Sequence, residues 1–317
     1  MSQKPDISLQ DTTRFLQEKF GSQISELTLL SGGEWSQAYS FIHQDRKYVL
    51  RWCYSSETFE KDAFASSFNS EAMLIPKIIY EGMKYDKYFA ISEFAQGKFI
   101  ETLIPIELEK TLPSLFNLFD ALRNADLSKS TRYGGWDKSG IGGHKSWKEY
   151  LLDVKNDHND ALTHGWYTSL ANSTLGTNIF DQLYSRLLSL VDQCPEVREL
   201  IHADLLNYNL LVSDNKISAV IDWQCSLFGD SLYDIAWFTF YAPWYPQFEA
   251  VQLCQKAIAH FESIATNTLN LKTRLLCYHL HIGLGSIAYN TFKKDWKAAQ
   301  EVAEYTLKIS QEHNLES

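Results

Sequence analysis

The sequence predicts an α+β protein in which a small antiparallel β-sheet lobe with one main helix precedes a larger, mostly helical lobe. After a first short helix, the residues up to 95 carry short apolar runs and one main helical stretch in the order β-β-β-α-β-β. At Ala95-Gln96-Gly97 the composition changes, and from Ile106 onward nearly every periodic segment has helical spacing. The lobes are accordingly expected over 1–95 and 96–317.

Taken in order, Asp6 or Ser8 caps a first helix reaching about Phe20, where Gly21 stops it. Three strands follow, Glu26–Leu30, Ala38–His43 and Lys47–Trp52, the last two joined by the polar turn Gln44-Asp45-Arg46. A helical spacing covers Thr58–Glu71 with Phe59, Ala63, Phe64 and Phe68, and Pro76 marks its exit. The runs Lys77–Glu81 and Tyr88–Phe94 are two further strands around a turn at Gly82–Lys87.

Pro105 and Glu107 suit the first turn of a helix reaching about Ala125. Asp126–Ser146, with five glycines from Gly134 to Gly143, reads as an irregular surface or substrate loop. Helices are expected over Trp147–Asn156 and Thr177–Gln193. After a hairpin come Leu232–Tyr241, Glu249–Ile264, Leu271–Phe292 and Trp296–Glu312.

At 317 residues the chain is long enough for a sizeable core. A net charge of −10 argues against a basic nucleic-acid or anionic-membrane surface and suits a cationic ligand, or simply a soluble acidic protein. No apolar segment resembles a signal peptide or a membrane span, so a cytoplasmic protein is expected. Its five cysteines are scattered without a C-x-x-C pair and read as reduced packing residues.

Chemistry concentrates in Leu200–Trp223, LIHADLLNYNLLVSDNKISAVIDW. Two apolar runs, Asn209–Val212 and Ile217–Ile221, flank the turn Ser213–Lys216, so polar groups stand at both ends of a hairpin: Asp204 and Asn209 at one, Asp222 at the other. One carboxylate can orient a hydroxyl or take its proton, while an amide oxygen and a second carboxylate can bind Mg²⁺ against a polyphosphate. Those are the requirements of phosphoryl transfer, in which positioning and charge neutralisation dominate.

The pattern His202-x-Asp204-x4-Asn209 followed by Ile221-Asp222-Trp223 is similar to a kinase catalytic loop and metal-binding aspartate, with Ala203 and Gln224 where protein kinases carry Arg and Gly. In its H-A-D and I-D-W forms it resembles the aminoglycoside phosphotransferase family. Further likeness lies in CPEVRELIHAD (Cys194–Asp204), FGDSLYD (Phe228–Asp234), Ser31-Gly32-Gly33-Glu34, Tyr48–Arg51 and Gly140-Ile141-Gly142, and narrows the resemblance to members acting on hygromycin B.

The resemblance implies a bilobal protein-kinase-like fold and transfer of the γ-phosphate of ATP, with GTP as an alternative donor, to a hydroxyl of an aminocyclitol antibiotic. It implies Asp204 as catalytic base, Asn209 and Asp222 as Mg²⁺ ligands, and His202 as a hydrogen-bonding support of the loop. Of Asp230 and Asp234, one caps a helix start and the other, four residues on, braces the catalytic loop. Arg51 stands where the family more often has a lysine contacting the phosphates, and pairs with Asp62 or Glu60; counting back from Pro76 favours Asp62. Ser31, Gly32 and Gly33 form the turn over the nucleotide, and backbone groups of Glu93 and Ala95 meet the adenine. Residues 1–95 are then the nucleotide lobe, in a monomer with no nucleic-acid or membrane partner.

A polycationic acceptor calls for carboxylates and aromatic walls, for which Asp126, Trp136, Asp137, Trp237, Trp244 and Tyr245 are candidates. Competing readings are a kinase of choline, a sugar or an amino alcohol on the same fold, a non-catalytic nucleotide-binding protein, and a metal-dependent hydrolase built on His202 and Asp204.

Overall fold

The structure is a computed structural model describing residues 4–31, 33–264 and 267–315, the side chains of 313–315 excepted. Helix α1 (Leu9–Phe20) starts at Ser8, whose Oγ accepts from the Asp11 N–H at 3.0 Å, and stops at Gly21. Strands β1 (Ile24–Leu29), β2 (Ser36–His43) and β3 (Arg46–Cys53) follow. Between β2 and β3 the turn is closed by Gln44 and Asp45 at φ +49° and +58°, the backbone hand that matches strand twist.

Helix α2 (Glu57–Ala65) passes into a 3₁₀ turn ending at Phe68, so it stops short of the predicted Glu71. Small polar side chains divert the backbone there: Ser66 Oγ donates to the Ala63 carbonyl at 2.6 Å, and Asn69 Oδ1 accepts from Ile75 N–H at 2.8 Å. Strand β4 (Ile78–Lys84) is longer than predicted and β5 (Lys87–Glu93) begins one residue earlier, because Tyr85 and Asp86, both at φ +54°, make the turn and Gly82 lies within a strand.

Beyond it come β6 (Lys98–Phe99), α3 (Pro105–Arg123), β7 (Tyr133–Trp136), β8 (Gly142–His144), α4 (Trp147–Asp153), α5 (Trp166–Ala171), α6 (Asn178–Leu190) and β9 (Glu199–Ile201). The chain finishes with β10 (Leu210–Ser213), β11 (Lys216–Val220), β12 (Leu227–Gly229), α7 (Leu232–Tyr241), α8 (Pro246–Ala250), α9 (Leu253–Ile264), α10 (Leu271–Lys293) and α11 (Trp296–Leu315). Two expectations are corrected. The glycine-rich segment is not irregular throughout but contains β7 and β8, paired through Tyr133–His144 and Trp136–Gly142. The helix expected over Glu249–Ile264 is two helices, broken where Gln252 takes φ +53°.

Two compact units emerge. One extends through Ala121 and takes in Asp137–Gly140 and Asn207–Cys225; the other comprises Leu122–Trp136, Ile141–Leu206 and the residues from Ser226 on. In the first, the antiparallel sheet has the order β1-β2-β3-β5-β4, and a second sheet has the order β11-β10-β6. Leu50 and Trp52 of β3 pack with Phe15 and Leu16 of α1, Phe15 meeting Trp52 edge-on at 5.0 Å. Strand alternation sends Arg51 and Cys53 to the opposite face, where Cys53 packs with Phe59 of α2. Gly97, at φ +150°, admits no side chain: a Cβ there would stand 2.8 Å from the Val212 carbonyl.

The second unit is built on α10, whose buried residues run from Leu271 to Thr291 on all sides of the helix and which packs against α5, α6, α7 and α11. A small sheet of order β8-β7-β12-β9 lies in the same unit. Gly229 on β12 lets the Trp147 ring approach, since a Cβ would fall 2.3 Å from it. Among the described residues no helix is long and apolar enough to cross a membrane.

Candidate active site

The first unit assembles a cation and two carboxylates around the turn after β11. The Arg51 guanidinium pairs with Asp62 Oδ2, and its Cζ lies 5.2 Å from the Phe59 ring centroid. Asp62, rather than Glu60, is therefore Arg51's partner; Glu60 is 3.5 Å from Lys138 Nζ and accepts from Ser56 Oγ. The other oxygen of Asp62 accepts the Trp223 N–H at 3.0 Å, so one carboxylate joins β3, α2 and the residue after Asp222.

Asp222 takes φ +62°, a conformation uncommon for a residue with a side chain. Burial, and secondarily the negative charge of Asp62, push its carboxyl above the ordinary range, while Arg51 and the Gln224 N–H pull it back. Asn209, at the start of β10, is buried, and its carbonyl accepts the Ile221 N–H at 3.0 Å, holding the two ends of the hairpin in register. The hairpin itself turns at Asp214 and Asn215, φ +52° and +59°.

A buried carboxylate beside a second carboxylate, with an amide nearby in sequence, is a hard-oxygen donor set that fits Mg²⁺. Among the described residues no three His, Cys, Asp or Glu side chains gather as a closed cation cage. Mg²⁺ held by one or two side chains and substrate phosphates needs none.

Ser31 and Gly33 are exposed in the β1–β2 connection, Gly33 at φ +66°; Gly32 lies outside the described residues. The Glu93 N–H donates to the Lys77 carbonyl at 3.1 Å and the Phe94 N–H to the Lys47 carbonyl at 3.2 Å. From the end of β5 the backbone of Glu93 to Ala95 runs on toward Gly97.

Asp204 lies in the second unit and is half-buried. Its predecessor Ala203 adopts φ +61°. One carboxylate holds that turn: Asp234 Oδ2 accepts the His202 N–H at 2.9 Å and Oδ1 the Ala203 N–H at 2.8 Å. Complete burial raises the Asp234 carboxyl from 3.8 to about 7, against the pull of those two donors.

Asp230, four residues earlier, accepts the Leu232 N–H at 3.1 Å at the start of α7. It also receives the buried Arg274 guanidinium, Nη2 to Oδ1 at 2.9 Å and Nε to Oδ2 at 3.0 Å, together with the Tyr278 hydroxyl. Asp230 thus bonds the backbone at a helix start, and Asp234 the backbone of the turn before Asp204. His202 is fully buried beside them.

Several neighbours carry no motif and escaped the sequence reading. Buried Lys61 donates to the Gln224 carbonyl at 2.8 Å, and buried Glu101 accepts the Tyr208 N–H at 2.7 Å, fixing the left-handed pair Asn207-Tyr208. In the second unit Tyr241 is raised to about 12, chiefly by burial and in part by the charge of Asp204, and hydrogen-bonds Ser286 Oγ. Its ring lies 5.2 Å from Trp237 and 5.9 Å from Trp244. Trp136, a candidate acceptor wall from sequence, is instead fully buried against Phe228, and Asp126 and Asp137 close local turns through Ser128 and Ser139 N–H.

Residues 26–265 match the sequence profile of the phosphotransferase enzyme family (APH). The chain belongs to that family. It is 32% identical to the hygromycin-B 4-O-kinase of Escherichia coli over 286 residues, covering 90% of this chain and 80% of the relative. The crystal structure of a thermostable variant of aminoglycoside phosphotransferase APH(4)-Ia, in ternary complex with AMP-PNP and hygromycin B, superposes with a TM-score of 0.82 at 31% identity, covering 94% and 97% of the two chains. Spectinomycin phosphotransferase APH(9)-Ia, 14% identical with a TM-score of 0.63 over 97% of this chain and all of that one, shares the fold. This phosphotransferase therefore has the α+β kinase-like architecture expected from its sequence, and is an enzyme of the small-molecule kinase class.

Proposed function

We propose that this phosphotransferase is a hygromycin B kinase, moving the γ-phosphate of ATP to a hydroxyl of that aminocyclitol. The observation carrying the reading is the 32% identity, over 90% of the chain, to a hygromycin-B 4-O-kinase, in a chain that presents Asp204 on a carboxylate-clamped loop. The lobe of residues 1–95 takes the nucleotide, and residues 96–317 supply the catalytic loop and the acceptor pocket.

Asp204 accepts a hydrogen bond from the acceptor hydroxyl and takes its proton as the new O–P bond forms and the bond from the γ-phosphorus to the β,γ-bridging oxygen breaks, releasing ADP. The fixed left-handed turn at Ala203, held by Asp234, keeps that carboxylate aimed without reorganisation. Arg51, oriented by Asp62, offers its remaining donors to the phosphates of the nucleotide. Ser31, Gly32 and Gly33 cover those phosphates, and the Glu93 carbonyl and Ala95 N–H hold the adenine edge. Asn209 and Asp222 hold Mg²⁺, which when bound neutralises charge on the transferred phosphoryl group. A polycationic acceptor is favoured by the net charge of −10. The enzyme works as a cytoplasmic monomer.

The test is incubation of purified protein with Mg²⁺, ATP or GTP, and a panel of hygromycin B, other aminoglycosides, choline, sugars and amino alcohols, read by mass spectrometry. Hygromycin B is expected to gain one phosphoryl group and Asp204→Ala to abolish the gain while remaining folded. Phosphorylation of choline or a sugar instead would reassign the substrate, and nucleotide binding with no transfer to any acceptor would reject the enzyme reading.

A further inference from the structure

Helix α2 grips the turn that carries Asp222 at two successive residues. Asp62 Oδ1 accepts the Trp223 N–H at 3.0 Å, and Lys61 Nζ donates to the Gln224 carbonyl at 2.8 Å. The Gln224 N–H in turn donates to the Asp222 carboxylate. The backbone on the two sides of the Gln224 Cα is therefore held by an ammonium on one side and by the Asp222 carboxylate on the other.

The setting makes the lysine unusual. Its side chain is buried, with only 7% of the residue exposed, and burial lowers the pKa of its ammonium. A buried ammonium is unfavourable unless its hydrogen bonds repay the lost hydration. The neighbouring Arg51 guanidinium already answers Asp62, so Lys61 is not required to neutralise that carboxylate. Its ammonium is spent on a main-chain carbonyl two residues after Asp222, in a turn whose φ of +62° at Asp222 needs external support.

We propose that Lys61 is a positioning residue for Asp222: by holding the Gln224 carbonyl it fixes the turn that aims the Asp222 carboxylate at the metal. With Asp62 it makes α2 a two-point clamp, in which Asp62 also orients Arg51, so that the phosphate-binding cation and the metal-binding carboxylate are set by adjacent residues of one helix. The inference rests on the reading of Asp222 as a Mg²⁺ ligand, and the experiment separates the two.

Calorimetry on the full chain measures ADP affinity across a Mg²⁺ series for the parent, Lys61→Met, Lys61→Gln, Lys61→Arg and Asp222→Asn, with thermal unfolding recorded without ligand. Lys61→Met is expected to raise the Mg²⁺ concentration needed for half-maximal enhancement of ADP binding by about tenfold, the consequence of losing a charged hydrogen bond. Its ADP affinity without Mg²⁺ should be unchanged, and Lys61→Arg should recover most of the Mg²⁺ dependence. If Asp222→Asn shifts the Mg²⁺ dependence and Lys61→Met leaves it at the parent value, the positioning role is wrong. If neither moves it, the metal-ligand reading of Asp222 falls and this inference with it. Should Lys61→Met fail to fold, Lys61→Gln decides: a shorter, uncharged donor predicts a shift of about twofold to fivefold, and parental behaviour together with an effect of Asp222→Asn overturns the proposal.

Discussion

Replacing Asp234 by asparagine should separate activity from stability in a pH-dependent way. The carboxyl rises from 3.8 to about 7 in the folded chain, so the proton is held more tightly there than in the unfolded chain. Its contribution to stability is complete below about pH 4 and is lost as pH rises through about 7, a swing of roughly 4 kcal/mol for about three pKa units. Asparagine resembles the protonated form and does not titrate. At pH 8 the variant escapes the cost of the buried anion, but it turns an amide NH₂ toward one of two N–H donors, a loss of about 1–3 kcal/mol. It should therefore be less stable than the parent at pH 5 and as stable or more stable at pH 8, measured as urea unfolding free energies. The catalytic loop responds oppositely: with one of the His202 and Ala203 tethers gone, the φ +61° turn before Asp204 relaxes and kcat falls about ten- to hundredfold at pH 8. Equal destabilisation at both pH values, or a parental kcat, would refute the reasoning.

Arg274→Met strands the Asp230 carboxylate in the core with only Tyr278 and the Leu232 N–H, and should cost about 3–5 kcal/mol. In thermal unfolding that is a drop of roughly 5–15 °C; a shift within error would show that the pair is not desolvated as its burial indicates. Arg51→Ala leaves Asp62 and Asp222 without their cation and should lower kcat/KM for the nucleotide about a hundredfold, whereas Arg51→Lys keeps the charge and should lose less than Arg51→Ala. His281 is buried with its value lowered from 6.5 to about 3, mainly by desolvation, and Nδ1 faces the Tyr233 hydroxyl. Its stabilising contribution is present above about pH 6.5 and is lost as pH falls toward 3, by up to about 4–5 kcal/mol. His281→Gln should flatten the acid limb of the stability profile, and an unchanged acid limb would assign acid unfolding to other groups.

What the sequence determined by itself was whatever local pattern encodes. Ser8 and Gly21 bound α1, polar pairs such as Asp214-Asn215 close hairpins, and alternation on β3 puts Leu50 and Trp52 on one face and Arg51 on the other. Asn209 and Asp222 were legible as residues flanking one hairpin, because the apolar-turn-apolar pattern between them is continuous in sequence and forms β10 and β11; Asp204, only five residues before Asn209, belongs to the other compact unit.

Contacts distant in sequence were decided only by the tertiary structure. The two-residue strand β6 and three-residue β9 and β12 are too short for a period to register, and exist because neighbouring strands supply hydrogen-bond partners. Counting favoured Asp62 over Glu60, but the Trp223 N–H 161 residues away is what reveals its second duty. Lys61 carries no motif in the sequence, and only its burial and the Gln224 carbonyl bring it to the turn that Asp62 holds; Trp136 reads as a ligand wall until it is found packed on Phe228. A side chain's environment is a sum over elements brought together by packing, and no local periodicity reports it.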